Sequence, residues 1–199
     1  MFQGDVKSRF FEDTNASSNT YIAVAARPTS TFTLANTSFG TATGRKITAT
    51  TLGDESPITV TLVGTDTNDE SITEIITLPG SASTTSGTTN FFKTITSATV
   101  SAQPTANVSL GMTSEVAGTI FAGRTRVRQM QVSSGGTAGN VEVRDGSATG
   151  TAGITIRTTS VAEDNTTINI PQDGVVFADG AYVTFNETEC HAVTAYYDG

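Results

Sequence analysis

Aliphatic residues alternate with threonine and serine along much of this chain, and this period-two pattern predicts β-strands. The clearest case is residues 58–62, in which isoleucine, valine and leucine alternate with two threonines. Successive side chains of a strand point to opposite faces, so this segment predicts a strand with one buried face. A polar turn at residues 64–70 and a β-branched run at residues 71–78 follow, and together they predict a hairpin.

Short segments of this kind, separated by turn residues, continue to the end of the chain, and no segment shows a helix-length apolar pattern. Further strands are predicted at residues 21–24, 45–52, 91–96, 108–112, 127–132, 141–144, 154–156, 168–170, 175–177, 181–185 and 193–197. Turn signals at intervals of roughly 8 to 12 residues are typical of antiparallel sandwiches and barrels.

The alternation lapses near residues 113–118, and a domain boundary is expected there. The sequence therefore predicts an all-β protein with two antiparallel β-sandwich domains, of jelly-roll or immunoglobulin-like type. The first domain is predicted at residues 21–114 and the second at residues 119–199. Residues 1–20 are predicted to form an extended N-terminal arm, because they hold phenylalanines among charged residues without a clear strand pattern.

The composition agrees with this fold class and narrows the function. Roughly one residue in five is threonine, a β-branched type that suits a pleated surface. Only 15% of the residues are charged, so the chain lacks the signature of a disordered protein. The net charge of −8 argues against nucleic-acid binding, because few cations are present to neutralise phosphates.

The sequence predicts neither an intrachain disulfide nor a membrane-spanning segment. A single cysteine, Cys190, excludes an intrachain disulfide, so stability is expected from packing or assembly. Because residues 1–20 carry several charges and lack a continuous apolar stretch, we expect no secretory signal peptide there, and no apolar run reaches transmembrane length. We expect no membrane partner.

Two groups of segments resemble modules found in virion proteins of tailed bacteriophages, notably of cyanophages and other marine phages. The first group is residues 58–66 (ITVTLVGTD), Pro79–Gly80 and residues 91–97 (FFKTITS). The second is residues 132–146 (VSSGGTAGNVEVRDG), 168–171 (INIP) and 174–183 (GVVFADGAYV). With the stretches between them, the two modules cover about two thirds of the chain.

This resemblance implies a non-enzymatic virion structural protein, first of all a capsid decoration or cement protein that stabilises the head. It implies a homo-oligomer that binds the major capsid protein or another virion protein and is assembled in the host cytoplasm. A neck, tail or fibre component is the first alternative. A carbohydrate-binding or host-receptor-binding module is the second, although the absence of tryptophan weakens it. The resemblance supplies no catalytic residue, cofactor or metal.

The residues themselves offer little chemistry. The only histidine, His191, adjoins Cys190, but neighbouring side chains on a strand face opposite ways and cannot act as nucleophile and base. A buried cysteine beside a hydrogen-bonded histidine is expected instead, with an intersubunit metal site at His191 as the remaining alternative. We therefore predict no catalytic residue and no enzyme activity.

Two loops resemble ligand-binding motifs only superficially. Residues 66–70 (DTNDE) begin like a calcium-binding EF-hand but lack the glycine and the final glutamate, so a solvated turn is expected, with a different cation site left open. Residues 133–139 (SSGGTAG) are followed by a predicted strand rather than by the helix that a phosphate-binding loop needs.

Interface residues are expected at two places. One is the N-terminal stretch, where Phe2, Phe10 and Phe11 either anchor a neighbouring subunit or cover their own sheet. The other is Arg124, Arg126 and Arg128, whose strand spacing places them on one face. There they pair with an acidic neighbour, or they are edge charges that prevent unwanted strand pairing.

Overall fold

A computed structural model describes residues 5–13, 15–171 and 173–199, and in this part of the chain all regular structure is β-strand. The described residues contain no helical segment that could span a membrane. The strands pair in antiparallel fashion, as in β1 with β15 and β4 with β5. The predicted all-β class, with a sandwich-like arrangement of antiparallel sheets, is confirmed.

Fifteen strands make up the described structure. In chain order they are β1 (Lys7–Glu12), β2 (Ser18–Ala26), β3 (Gly44–Thr51), β4 (Thr59–Thr65), β5 (Ser71–Thr77), β6 (Thr85–Gly87), β7 (Thr94–Val100), β8 (Val108–Phe121), β9 (Thr125–Ser134), β10 (Asn140–Asp145), β11 (Ala152–Arg157), β12 (Asn165–Asn169), β13 (Val175–Phe177), β14 (Ala181–Asn186) and β15 (Cys190–Asp198).

The chain divides into two compact units. Unit 1 contains the described part of Met1–Asn15 together with Gly40–Thr43 and Glu115–Gly199. Unit 2 contains Ala16–Phe39 and Gly44–Ser114. The division along the chain falls inside β8, between Ser114 and Glu115.

Unit 1 holds its core between two sheets. One sheet has the order β1-β15-β9-β12, and β13 also pairs with β9. The other contains β11, β10, β14 and the second part of β8. Alternate residues of these strands point inward, for example Val141 and Val143 of β10, which are both fully buried. Burial of such side chains stabilises the fold by roughly 1.5–3 kcal/mol each.

Within the stretch expected to form an extended N-terminal arm, residues 7–12 form β1, an edge strand of a unit 1 sheet. Strand β1 pairs with β15 along its whole length, from Lys7 opposite Tyr197 to Glu12 opposite Ala192. Strand β2 then begins at Ser18. The pairing satisfies backbone hydrogen-bonding groups that an unpaired arm would leave to water, and it places Phe11 in the core of unit 1.

Unit 2 is built around the predicted hairpin. Strands β4 and β5 pair from Thr59 opposite Thr77 to Thr65 opposite Ser71, which confirms the hairpin read from the alternation. With β7 they form a three-stranded sheet. The buried face of this sheet contributes Val60 and Leu62 to a core shared with β2, β3 and the first part of β8.

One charged side chain is buried in a loop of unit 2. Glu55 lies between β3 and β4 and is only 2% exposed. Its carboxylate accepts hydrogen bonds from the backbone N–H groups of Thr105 and Ala106 and from the Thr105 hydroxyl, at 2.9, 2.5 and 2.8 Å. Glu55 thereby joins the β3–β4 loop to the β7–β8 loop.

Candidate functional site

The side chains of Cys190 and His191 have different hydrogen-bonding partners. The Cys190 thiol is buried and donates to the carbonyl of Ala192 at 3.3 Å. Its burial raises the pKa of the thiol to about 12, so the thiol stays protonated at neutral pH. His191 Nδ1 lies 3.0 Å from a carboxylate oxygen of Glu163. This is the buried cysteine and hydrogen-bonded histidine expected from the sequence.

The acidic loop at residues 66–70 is a turn held by hydrogen bonds within the loop. The Asp66 carboxylate accepts hydrogen bonds from the N–H groups of Asn68 and Glu70, at 2.8 and 3.0 Å. Asp69 pairs with Lys93, whose Nζ lies 2.5 Å from Asp69 Oδ1. Among the described residues, no group of three or more histidine, cysteine or acidic side chains is arranged to hold a metal ion.

Backbone N–H groups of the glycine-rich loop are likewise used in hydrogen bonds within the chain. Gly135 N–H donates to the carbonyl of Glu189 at 2.9 Å, and Thr137 N–H donates to that of Thr188 at 3.1 Å. Gly136 has a φ of +102°, which favours glycine. Strand β10 follows at Asn140, so the loop is the turn expected from the sequence.

The three predicted phenylalanine anchors have different environments. Phe2 lies outside the described residues. Phe11 is fully buried in the unit 1 core, so it is a core residue rather than an exposed anchor. Phe10, its neighbour on β1, points to the opposite face and is 45% exposed.

Phe10 belongs to a broad solvent-facing surface of unit 1, which we call the outer face. It is formed by three rows of residues that lie opposite one another across β1, β15, β9 and β12. The rows are Ser8, Tyr196, Gln129 and Asn169; Phe10, Thr194, Gln131 and Thr167; and Glu12, Ala192, Ser133 and Asn165. All of these residues are exposed or half-buried, and Glu12 is the only one with a charge.

The predicted arginines lie at one end of the outer face, and a β-bulge sets their positions. On β15, Tyr196 is opposite Gln129 while Tyr197 is opposite Val127, so Arg128 is the extra residue of β9. Val127 and Met130 are both buried, and the residues between them lie on the solvent side.

The three arginines differ in whether their side chains are paired. Arg128 Nε donates to Asp198 Oδ2, and Arg128 Nη1 lies 3.9 Å from Asp173 Oδ1. Arg124 and Arg126 have neither a hydrogen bond nor an ion pair to any side chain in the described part of the chain. Arg124 is exposed just before β9, and Arg126 is half-buried on β9.

Arg124 and Arg126 line a pocket of ≈250 Å³, which we call the arginine pocket. Its lining residues are Arg124, Thr125, Arg126, Val176, Asp198 and Gly199. Val176 and Asp198 both lie opposite Arg126, on the two strands that flank β9. Their contribution was not visible in the sequence, because neither strand is close to β9 along the chain and only the sheet register brings them together.

Comparison with protein families, with curated proteins and with solved structures gives no significant match to this chain.

Proposed function

We propose that this protein is a non-enzymatic structural component of a tailed-bacteriophage virion, and that it decorates the head and stabilises the capsid. The proposal rests on the resemblance of two groups of segments, within residues 58–97 and 132–183, to phage virion modules and on the properties of the outer face. Its partner is the major capsid protein or another virion protein, and it acts as a homo-oligomer.

The outer face is the observation that carries the proposal. Its rows contain serine, threonine, asparagine and glutamine with two aromatic residues, Phe10 and Tyr196, and its arginines lie at one end. Depletion of charge at the centre, with aromatic residues and arginine enriched, is the composition that distinguishes protein interfaces from the remaining surface.

Assembly explains how such a face stabilises a shell. Each contact of a polar face is modest, but many copies bound to one particle act together and resist its opening. The reactive side chains support a non-enzymatic function, since Cys190 is buried and protonated and His191 is engaged by Glu163.

Copy number tests the position in the virion. Quantitative mass spectrometry of purified particles should find the protein in hundreds of copies, on the order of the copy number of the capsid subunits that it covers. A copy number of about a dozen, set by the symmetry of a neck or tail ring, would replace decoration by the neck, tail or fibre alternative. Absence from the particle together with binding to glycans would replace both by the receptor-binding alternative.

A matched pair of variants tests the outer face. Thr167→Glu places a charge in the middle row, whereas Thr155→Glu places the same charge on an exposed position of β11, in the other sheet of unit 1. Burying an unpaired carboxylate at an interface is costly, so Thr167→Glu should abolish co-sedimentation with emptied capsids while Thr155→Glu retains it. Equal binding by both variants would remove the outer face from the proposal.

A further inference from the structure

The arginine pocket contains two positive charges that nothing in the described chain neutralises. The protein carries 19 acidic residues against 11 lysines and arginines, so carboxylates for internal pairing are abundant. Arg128 uses two of them, Asp198 and Asp173. Arg124 and Arg126 use none, although both line the same pocket.

The register explains why Arg126 stays available. Asp198 is directly opposite Arg126 on β15 and is the nearest carboxylate along the ladder. Its Oδ2 accepts the hydrogen bond from Arg128 Nε instead, and its Oδ1 is buried. Arg128 therefore neutralises the carboxylate that would otherwise cancel the charge of Arg126.

We propose that the arginine pocket binds a peptide segment of a neighbouring protein in which carboxylate side chains pair with Arg124 and Arg126. This inference rests on the proposed function, because it names the chemistry of the partner that the outer face meets. The planar guanidinium group presents its donors in a fork that matches the two oxygens of a carboxylate. Two such groups in one pocket recognise two neighbouring carboxylates.

The remaining lining and the charge of the chain favour an acidic peptide over other anions. Val176 is 38% exposed and offers an apolar wall for the methylene groups of aspartate or glutamate. A nucleic acid carries a phosphate at every nucleotide, and this acidic chain offers few cations outside the pocket to neutralise them, whereas a peptide can carry its carboxylates only where the arginines lie. The pocket adjoins the outer face, so a bound segment can continue across the two rows nearest to it, which carry no charge.

Fluorescence polarisation with labelled peptides tests the inference on the full-length protein. The probe is a capped peptide of six Asp-Gly repeats, and the matched probe has six Asn-Gly repeats. The wild type should bind the aspartate probe, with affinity that falls as salt is raised from 50 to 200 mM. Loss of charge from the probe should weaken binding by roughly tenfold or more.

Single arginine variants identify the site. Arg124→Gln and Arg126→Gln should each weaken binding of the aspartate probe by roughly tenfold, because each removes one charged hydrogen-bonding partner. Arg157→Gln is the matched control: it removes the same charge from an exposed position of unit 1 that does not line the pocket. Its affinity should stay within about twofold of the wild type. An unchanged melting temperature shows that each variant is folded.

Three results would overturn the inference. Equal weakening by Arg157→Gln and Arg126→Gln would mean that the probe responds to overall charge and not to the pocket. Binding of an acidic oligosaccharide such as oligogalacturonate in place of the peptide would assign the pocket to a sugar. Self-association of the wild type that is lost in Arg124→Gln would assign it to a second copy of this chain.

The same variants separate this inference from the proposed function. Peptide titration needs no virion, and capsid co-sedimentation needs no peptide. If the arginine variants bind capsids as the wild type does, while Thr167→Glu does not, the inference fails and the proposed function stands. If the pocket binds the peptide but the protein is absent from particles, the proposed function fails and an acidic partner must be sought elsewhere.

Discussion

Glu55 shows how this protein accommodates a buried charge. Burial alone opposes ionisation of its carboxyl group and is the largest single influence on its pKa. The hydrogen bonds from the backbone of Thr105 and Ala106 and from the Thr105 hydroxyl act the other way, with attraction from Arg27 in addition. Together they outweigh burial, and the pKa of Glu55 lies below its ordinary value of 4.5.

The lowered pKa predicts an acid-sensitive stability. The contribution of Glu55 is complete above pH 4.5, the value for the unfolded chain, and is lost as the pH falls through the lower value of the folded state. Glu55→Gln should reduce the free energy of unfolding by about 2 kcal/mol at pH 7 and should flatten its dependence on pH below 4.5. Urea unfolding followed by circular dichroism between pH 7 and pH 3 measures both effects.

The exposed Glu70 provides the control for that experiment. Its backbone N–H is bonded to Asp66, and its side chain is on the surface. Glu70→Gln should leave the free energy of unfolding within about 0.5 kcal/mol of the wild type at every pH. A Glu55→Gln protein with an unaltered pH profile would contradict the role assigned to the buried carboxylate.

At the scale of single elements, β1 shows why adjacent phenylalanines have different functions. Phe11 points into unit 1, and its ring fits against Gly118 of β8. A Cβ atom on Gly118 would lie 2.3 Å from Phe11 Cδ1, so only glycine leaves room for the ring. Phe10 points the other way and is 45% exposed on the outer face. The strand therefore both closes the core and contributes to the proposed interface.

Substitutions in β1 should separate these two functions. Phe11→Thr removes a fully buried ring and should destabilise the protein by about 3 kcal/mol or more, whereas Phe10→Thr should change the stability by less than about 1 kcal/mol. Gly118→Ala should also destabilise, by roughly 1–3 kcal/mol, because the ring of Phe11 must move. Chemical denaturation measures all three. Similar losses for Phe10→Thr and Phe11→Thr would contradict the orientation of β1.

The sequence predicted which segments form strands better than it predicted which strands pair with each other. Residues of β1, β4, β5 and β9 show why. The β4–β5 hairpin could be predicted because a short turn joins its strands, so local alternation and turn residues are sufficient. Alternation across Phe10 and Phe11 indicates that one of them is buried, but the choice depends on β15, which is distant along the chain. The bulge at Arg128 leaves no sequence signal, so the arginines could be grouped but not divided into paired and unpaired.

At the scale of the whole molecule, unit 1 depends on the two ends of the described chain. Strand β15 lies between β1 and β9 and makes the most extensive strand pairing of the unit with them. It also supplies the buried residues Cys190, Val193, Ala195 and Tyr197. Unit 2 has its own core, formed entirely from residues before Ser114.

Removal of β15 should therefore unfold one unit and spare the other. In a chain truncated after Glu189, hydrogen exchange should become fast throughout unit 1, because β1 and β9 lose their shared neighbour. The amides of Val60 and Leu62 in unit 2 should remain protected. Mass spectrometry of the exchanged protein after peptic digestion resolves the two units, and fast exchange in both would show that unit 2 has no independent stability.

The pairing of β1 with β15 also has a mechanical consequence. Lys7 at the start of β1 lies opposite Tyr197 near the end of β15, and Lys7 Nζ donates to the Gly199 carbonyl at 2.7 Å. Tension applied between Lys7 and Gly199 would load these antiparallel strands at one end and peel them apart one hydrogen bond at a time. Peeling needs far less force than shearing a whole ladder at once. Unit 1 should therefore open at low force when it is pulled from Lys7 and Gly199.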